Sequence, residues 1–333
     1  MRALKSILVT GGAGFIGSAF IRYLFQHSDF IGRVVNLDRL TYAANLELLQ
    51  DVEAHPRYRF VQGDINDQTP VESLIEEEKI DTIVHFAAET HVDRSIASAR
   101  PFVEANVLGT LTLLEAVRKF PEIHFHHVST DEVYGMLGES GAFNESSPYR
   151  PNSPYAASKA ASDHLVRAFA HTYKLSTTIS HCSNNYGPGQ FPEKIIPLMI
   201  HRALAGQHLP IYGRGANIRD WLYVDDHARA IFLILRKGKN GQTYDIGGNC
   251  ELSNLQLVNI LLETLAQETG KNLNDLLSLI SFVTDRPGHD FRYAIDCAKI
   301  QHELGWHPHM QIRKGLIETV RWYAHSIVGR YKA

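Results

Sequence analysis

A glycine-rich turn set between a short apolar run and a helical pattern constrains this chain more than any other segment. Ile7–Thr10 reads as a buried strand, Gly11-Gly12-Ala13-Gly14-Phe15-Ile16-Gly17 as the turn, and Ser18–His27 as an amphipathic helix. Glycines at Gly11, Gly14 and Gly17 allow a tight turn and let backbone amides approach a pyrophosphate at the helix N-terminus. A glycine fingerprint alone is weak evidence. Here a strand precedes it, a helix follows it, and Asp38 closes the next strand about 20 residues on.

The N-terminal half continues the alternation. Candidate strands are Arg33–Asp38, Tyr58–Gly63, Thr82–Ala87, Phe125–Ser129 and Thr177–Cys182; candidate helices are Pro70–Glu78, Pro101–Phe120 and Ser153–Tyr173. Strands rich in Val, Ile and Phe that alternate with helices indicate βαβ units and a parallel sheet covered on both faces. With right-handed crossovers the expected fold is α/β, a Rossmann-type doubly wound parallel sheet. After Asn185 the texture changes, and Gly187-Pro-Gly189, Phe191-Pro192 and Gly213-Arg-Gly215 punctuate loops. A helix over Asp225–Arg236 and a strand over Thr243–Ile246 return to the sheet. The expected division is a dinucleotide-binding unit over 1–185, with returns near 222–250 and 291–300. A smaller, interleaved substrate-binding cap occupies most of 186–333.

Composition excludes several classes. The 333 residues are 44% hydrophobic and 21% charged, as in an ordinary globular protein. A net charge of -3 leaves no basic footprint for nucleic acid. No stretch approaches the roughly 20 apolar residues of a membrane span. The first strand starts almost at Met1, so no signal peptide is expected. Cys182, Cys250 and Cys297 are odd in number and lack metal-ligand spacing, which suits reduced, buried thiols and the cytoplasm. The eighteen histidines are scattered. His124, His126 and His127 alternate on one strand-like run, but packing roles outweigh a metal site there, and no metal is expected.

Several strand ends fit the dinucleotide. Asp38 can accept hydrogen bonds from adenosine ribose hydroxyls and repel a 2′-phosphate, which favours NAD; the adjacent Arg39 weakens that preference. Asp64-Ile65 ends the third strand within reach of an adenine edge. Phe86-Ala87-Ala88 ends the fourth, where small residues let the cofactor lie close to the backbone.

Two further segments carry chemistry. Tyr155 and Lys159 are four apart, neighbours on one helix face. A phenol with an ordinary pKa near 10 is a poor base, and a nearby ammonium and an oxidised nicotinamide favour its phenolate. Thr130-Asp131-Glu132 ends the strand-like His126–Ser129 run with a hydroxyl and two carboxyls. A dehydrogenase needs only the tyrosine and lysine. An added acid pair suits an enzyme that also eliminates.

This combination resembles the extended short-chain dehydrogenase/reductase superfamily. Ser129-Thr-Asp-Glu-Val-Tyr-Gly135 looks like the acid pair of its dTDP-glucose 4,6-dehydratase family. Leu37-Asp-Arg-Leu-Thr-Tyr42, Ala87-Ala-Glu-Thr-His-Val-Asp-Arg-Ser95, Ser183–Pro188, Phe191–Pro197, Ile218–Val224 and Asp285–Asp290 extend the resemblance over essentially the whole chain. Thr90 stands where that family usually has Ser, Arg39 where it has Lys, and Ala44 where it has Gly.

The resemblance implies a bound NAD regenerated in each turnover, with Leu40, Thr41 and Asn185 joining the cofactor set. Tyr155 is then the base for the sugar 4-hydroxyl, and Thr130 orients that oxygen. Lys159 holds the ribose and lowers the tyrosine pKa. Glu132 is the C5 base and Asp131 the acid for the departing 6-hydroxyl, giving a 4-keto-6-deoxy sugar. Asn184, Lys194, Arg219, Arg286 and His289 are expected to meet the sugar nucleotide, Pro210 and Tyr212 its base. Thr90, Thr130, Ile195 and Asn254 complete that set. Helices over Pro101–Phe120 and Ser153–Tyr173 imply a homodimer. The alternatives are a UDP-glucose dehydratase, a 4-epimerase that has no use for Glu132, and a non-catalytic NAD-binding regulator.

Overall fold

The computed structural model describes residues 1–285 and 287–330, with side chains through residue 325. Strands β1 (Ser6–Thr10), β2 (Arg33–Asp38), β3 (Tyr58–Gln62), β4 (Thr82–His85), β5 (His124–Thr130), β6 (Ser176–Cys182) and β10 (Gln242–Ile246) form one seven-stranded sheet. Its order is β10-β6-β5-β4-β1-β2-β3, with every pairing parallel. The strand order reverses beside β1, between β2 and β4. Such a reversal opens a crevice at the C-terminal ends of the strands.

Alternation along each strand builds a core on both faces. Leu8, Val35, Ile83, Phe125 and Ile179 face one way and pack on Leu113, Leu114, Val117, Val166 and Phe169. These come from the helices Gly109–Lys119 and Pro154–Tyr173. Ile7, Val9, Val34 and Val84 face the other way, against Phe20, Ile21, Leu24, Ile231 and Leu235. Here the covering helices are Phe15–Gln26 and Val224–Lys237. Residues 224–246 thus complete the sheet unit late in the chain.

The remaining elements form a second layer over the crevice. Strands β7 (Asn184–Tyr186), β9 (Ile218–Tyr223) and β11 (Glu251–Ser253) make a small mixed sheet; β8 (Leu209–Tyr212) pairs with β12 (Ile280–Val283). Their core gathers Tyr186, Ile200, Trp221, Leu257, Leu261 and Leu316. The helix Asn254–Thr269 begins with a Ser253/Gln256 capping box and ends at Gly270 in the left-handed region.

The helix expected over Pro101–Phe120 differs in one respect. It is helical from Arg100, but Val103–Leu108 forms a π turn before Gly109. Single π turns inside helices frequently mark functional sites. The buried Asn106 lies within this one. Among the described residues no helix is long and apolar enough to cross a membrane.

Candidate active site

The glycine turn meets the tail of β4 at close range. Gly11 has φ +73°, and a Cβ there would lie 2.6 Å from the Ala87 backbone. A Cβ on Gly17 would collide with the Gly11 carbonyl. Gly14 is the N-cap of the helix Phe15–Gln26 and brings neither a side-chain cap nor an acid in the first turn. The first N–H groups are therefore free to meet an anion. Gly11, Gly14, Phe15, Ile16, Gly17, Phe86, Ala87 and Ala88 line one continuous cleft with Asp38, Arg39, Thr41, Asp64 and Ile65. This cradle, which only glycine tolerates, fits a dinucleotide.

The acidic groups of the cradle already have work. Asp38 Oδ2 accepts from Ala13 N (2.9 Å) and Oδ1 from Leu40 N (2.8 Å), tying the glycine turn to the end of β2. Leu40 itself takes φ 60° to make that turn and does not line the cleft. Arg39 pairs with Asp64 at 2.8 Å and approaches Glu89 at 4.0 Å. Its guanidinium is thus committed to carboxylates, which removes the conflict with Asp38 over a 2′-phosphate. Burial pushes the Asp64 carboxyl up, but hydrogen bonds from Asn66 and Arg39 win and hold it below its ordinary value.

The same cleft runs on to Thr130, Asp131, Glu132, Tyr155 and Lys159. Strand β5 ends at Thr130, whose hydroxyl accepts from Glu132 N (3.3 Å) and caps the short turn Asp131–Tyr134. Asp131 is 2% exposed, and its Oδ2 has no hydrogen-bond partner among the described residues. Burial, then the Glu132 and Asp220 carboxylates, hold its carboxyl well above the ordinary value. This favours the protonated form, the one that can donate.

Tyr155 sits in the first turn of the helix Pro154–Tyr173, which Ser153 caps through Ala156 N and Pro154 pre-shapes at its first position. The tyrosine phenol is pushed well above its ordinary value by burial, with Glu132, Cys182 and Asp131 adding; a hydrogen bond with Thr130 opposes this. Burial dominates this balance. Lys159 is itself buried and pushed down to about 8, chiefly by desolvation, with Asp163 opposing. Its Nζ donates to Val128 O at 2.8 Å.

Sequence reasoning missed Asn106. Its Nδ2 donates to Glu89 O (3.0 Å) and Ser158 Oγ (2.8 Å), and its Oδ1 accepts from Glu89 N (2.8 Å). It pins the tail of β4 to the Tyr155 helix, and the π turn that aims it has no simple sequence signature.

The expected substrate residues divide. Thr90, Asn184, Asn185 and Lys194 line the cleft. Lys194 Nζ reaches across it to Thr90 O at 3.0 Å, and Asn185 Oδ1 meets His227 Nδ1 at 2.9 Å. Ile195, Pro210, Tyr212, Arg219, Asn254 and His289 lie outside its lining. Arg219 is buried, stacks 4.4 Å from the Tyr293 ring and donates to Asp290 O. Tyr212 meets His289 edge-on at 6.0 Å, and His289 pairs with Asp285. Asn254 opens the helix Asn254–Thr269. Arg286 lies outside the described residues. Tyr293 is buried and donates to Asp290.

The histidines on β5 are hydrogen-bonded to hydroxyls on β6. His124 contacts Ser176 and Thr178, and His126 contacts Thr178 and Ser180. Cys182 and Cys297 are buried free thiols, and Cys250 is free and partly buried.

Comparison with known proteins agrees with this geometry. The family model for GDP-mannose 4,6 dehydratase matches residues 8–319. The chain belongs to this family. Within the 4,6-dehydratases, a dTDP-glucose 4,6-dehydratase of Neisseria gonorrhoeae is 52% identical over 99% of this chain and 98% of the relative. The dTDP-glucose 4,6-dehydratase of Streptomyces venezuelae, solved with NAD and a second ligand bound, superposes with a TM-score of 0.92. It is 49% identical over 97% of this chain and 98% of that one. The UDP-glucose 4-epimerase of Thermotoga maritima also superposes, with a TM-score of 0.85 at 28% identity over 97% and 99% of the two chains. Fold alone therefore does not separate dehydratase from epimerase; the acid pair must.

Proposed function

We propose that this protein is a dTDP-glucose 4,6-dehydratase working with a resident NAD, held by the glycine turn, Asp38 and the tail of β4. The observation that carries the reading is a buried Asp131, its carboxyl held well above the ordinary value, beside Glu132 in one cleft with Tyr155 and Lys159. When bound, NAD would supply the hydride acceptor for C4 and the hydride donor for C6, and a positive charge that favours the Tyr155 phenolate. Tyr155, as that phenolate, removes the 4-hydroxyl proton while Thr130 holds that oxygen. The resulting ketone acidifies the C5–H, which Glu132 takes as base. Asp131 gives its proton to the leaving 6-hydroxyl, and water departs. Glu132 returns its proton to C5, and the O4 proton taken by Tyr155 passes on to Asp131 before the next turnover, so the net change is the loss of one water.

Thr90, Asn184 and Lys194 are read as meeting the sugar nucleotide, a reading supported by their position in the cleft lining. The Arg219 and Pro210–Tyr212 assignments rest on the resemblance alone, since these residues lie outside the cleft lining. Incubation with dTDP-glucose without added cofactor is expected to give a product lighter by one water, with UDP-glucose turned over more slowly. In Glu132→Gln, C4 oxidation is expected to persist while water loss falls by about 10²-fold or more. A variant that loses water at the parent rate removes the C5-base assignment.

The protein is further read as a cytoplasmic homodimer. Val103 and Leu108 are 46% and 48% exposed on the helical segment beside the Tyr155 helix, an apolar face suited to a second copy. Light scattering is expected to give twice the chain mass. Leu108→Glu should shift the population to monomer, and a monomeric parent chain would exclude the assembly.

A further inference from the structure

Behind Lys159 lies a closed group of buried ionisable side chains that the reaction above does not use. Asp163 is one helical turn beyond Lys159; His127 is on β5, His181 on β6 and Asp245 on β10, all essentially without solvent exposure. His127 Nε2 stands 3.4 Å from Lys159 Nζ and 3.2 Å from Asp163 Oδ1. His181 bridges the two carboxylates, Nε2 to Asp163 Oδ2 at 3.0 Å and Nδ1 to Asp245 Oδ1 at 2.9 Å. Ser129 and Tyr149 hydroxyls donate to Asp163 Oδ2, and Tyr134 donates to Asp245. Buried charges are costly unless paired, and here the Asp163 and Asp245 carboxyl groups face Lys159 and His181. Glu145 borders the group, its Oε1 accepting from Asp245 N at 2.9 Å.

We propose that Asp163, acting with His127, is the positioning residue that keeps Lys159 an ammonium and holds it toward Tyr155. Other groups face Lys159 from each packed element, and none supplies this charge. His85 on β4 and His127 on β5 are neutral, both pushed down by burial, His127 to about 4. Cys182 on β6 is a thiol, pushed up to about 12 by burial. Asp131, after β5, and Tyr155 are both held well above their ordinary values, chiefly by burial, which favours their neutral forms. His181 is a cation, its hydrogen bonds to Asp163 and Asp245 outweighing burial and raising it to about 9. Glu132 lies on the cleft side, next to Tyr155, and Asp245, Tyr134 and Tyr149 lie in the layer behind. Asp163 is held well below the carboxylate range, where hydrogen bonds from His127 and His181 outweigh burial, so it is charged at every working pH.

His127 makes the link directional. A neutral imidazole carries one N–H, and Nε2 faces an ammonium on one side and a carboxylate on the other. The Ser162 hydroxyl at 3.2 Å donates to Lys159 O, so its proton is not available to that nitrogen. The charge on Lys159 therefore decides whether Nε2 accepts from the lysine or instead carries a proton that it turns to the Ser162 oxygen, with Asp163 Oδ1 3.2 Å away. Deleting the carboxylate leaves two buried cations facing Asp245 alone, and Lys159 is the one that loses its proton.

The inference rests on the assigned dehydration, and its test separates the two. The pH profile of the C4 oxidation, read as NADH absorbance in a single turnover, should fall on its alkaline side as Lys159 deprotonates. In Asp163→Asn that limb should move toward acid by about 1 unit, and Asp163→Glu should restore most of it. His127→Phe, which keeps a ring in the stack with Phe125, should shift it less and in the same direction. The same ordering is expected without turnover, from the pH dependence of the Lys159 side-chain nitrogen resonance in 15N-lysine-labelled protein. Bound NAD and the unfolding midpoint identify variants that fold; if Asp163→Asn does not, His127→Phe and the resonance carry the test. An unmoved limb and an unmoved resonance in folded variants overturn the inference. Failure of the parent enzyme to dehydrate dTDP-glucose overturns the assigned reaction and leaves the resonance test standing.

Discussion

Asp131 and Glu132 are adjacent in sequence and differ in what surrounds them. Asp131 is 2% exposed, beneath Thr130, with one oxygen unpartnered; Glu132 is only partly buried and opens on the cleft. The first is thereby fitted to donate a proton and the second to take one, without any difference in side-chain chemistry. The Asp131 environment has a stability cost of definite sign. Its folded pKa is raised, so the native state binds the proton more tightly than the unfolded chain, and stability falls as pH rises above the ordinary carboxylate value. Asp131→Asn removes that penalty. It is expected to raise stability at neutral pH by about 1 kcal/mol while slowing water loss by about 10²-fold or more. Denaturant unfolding at pH 7 and product formation by mass check the pair; a lower unfolding midpoint would show that the acid stabilises the fold. The Thr130-Asp131-Glu132 triplet is legible because its members are contiguous. Asp163, His127, His181 and Asp245 are not, since four separate elements deliver them and each alone looks like an ordinary strand or helix residue.

At the scale of elements, β5 shows what a fully buried parallel strand does with polar residues. All seven residues of His124–Thr130 are buried, yet three are histidines. His124 and His126 face one side and bond in a ladder to Ser176, Thr178 and Ser180 across β6; His127 faces the other. Burial holds His124 neutral, its pKa down at about 3. A histidine lowered on folding contributes stability that is complete above its ordinary value near 6.5 and is lost as pH falls below it. Each such residue costs about 1.4 kcal/mol per pH unit across that window. His124→Asn should therefore be less stable at pH 7 but show a shallower loss between pH 6.5 and 5, by about one proton. Denaturant titrations at three pH values read the slope, and an unchanged slope would mean that His124 is not neutral in the fold. The main strands and the Tyr155 helix were readable from apolar runs, a serine cap and Pro154. The strands β8, β9 and β12 were not. Pro210, Arg219 and Asp220 interrupt the apolar pattern, and those strands are made by tertiary pairing over the cleft rather than by local preference.

At the scale of the molecule, sheet unit and cap meet across the cofactor cleft in a clasp of side chains. Tyr42, just after β2, meets the Phe191 ring edge-on at 5.5 Å and carries the Arg94 guanidinium 3.7 Å above its face. Glu193 accepts from the Tyr42 hydroxyl at 3.3 Å and lies 3.4 Å from Arg94 and 3.7 Å from His91. Burial and then Glu193 push the Tyr42 phenol up to about 12, so it remains a donor throughout the working range. A cofactor that ends each cycle oxidised has no need to leave, and a clasp that slows its departure costs the reaction nothing. The ring contacts and the cation over the ring are worth about 0.5–2 kcal/mol each, whereas the half-exposed Arg94–Glu193 pair is worth less. Tyr42→Ala is accordingly expected to speed NAD release about tenfold, since 1.4 kcal/mol is a factor of ten, with little change in turnover at saturating NAD. Glu193→Gln should do less, and its effect should fade in high salt. Both are read as loss of bound NAD after dilution into cofactor-free buffer. If Tyr42→Ala releases NAD at the parent rate, retention resides in the glycine turn and β4 alone, and the cap serves only the sugar nucleotide.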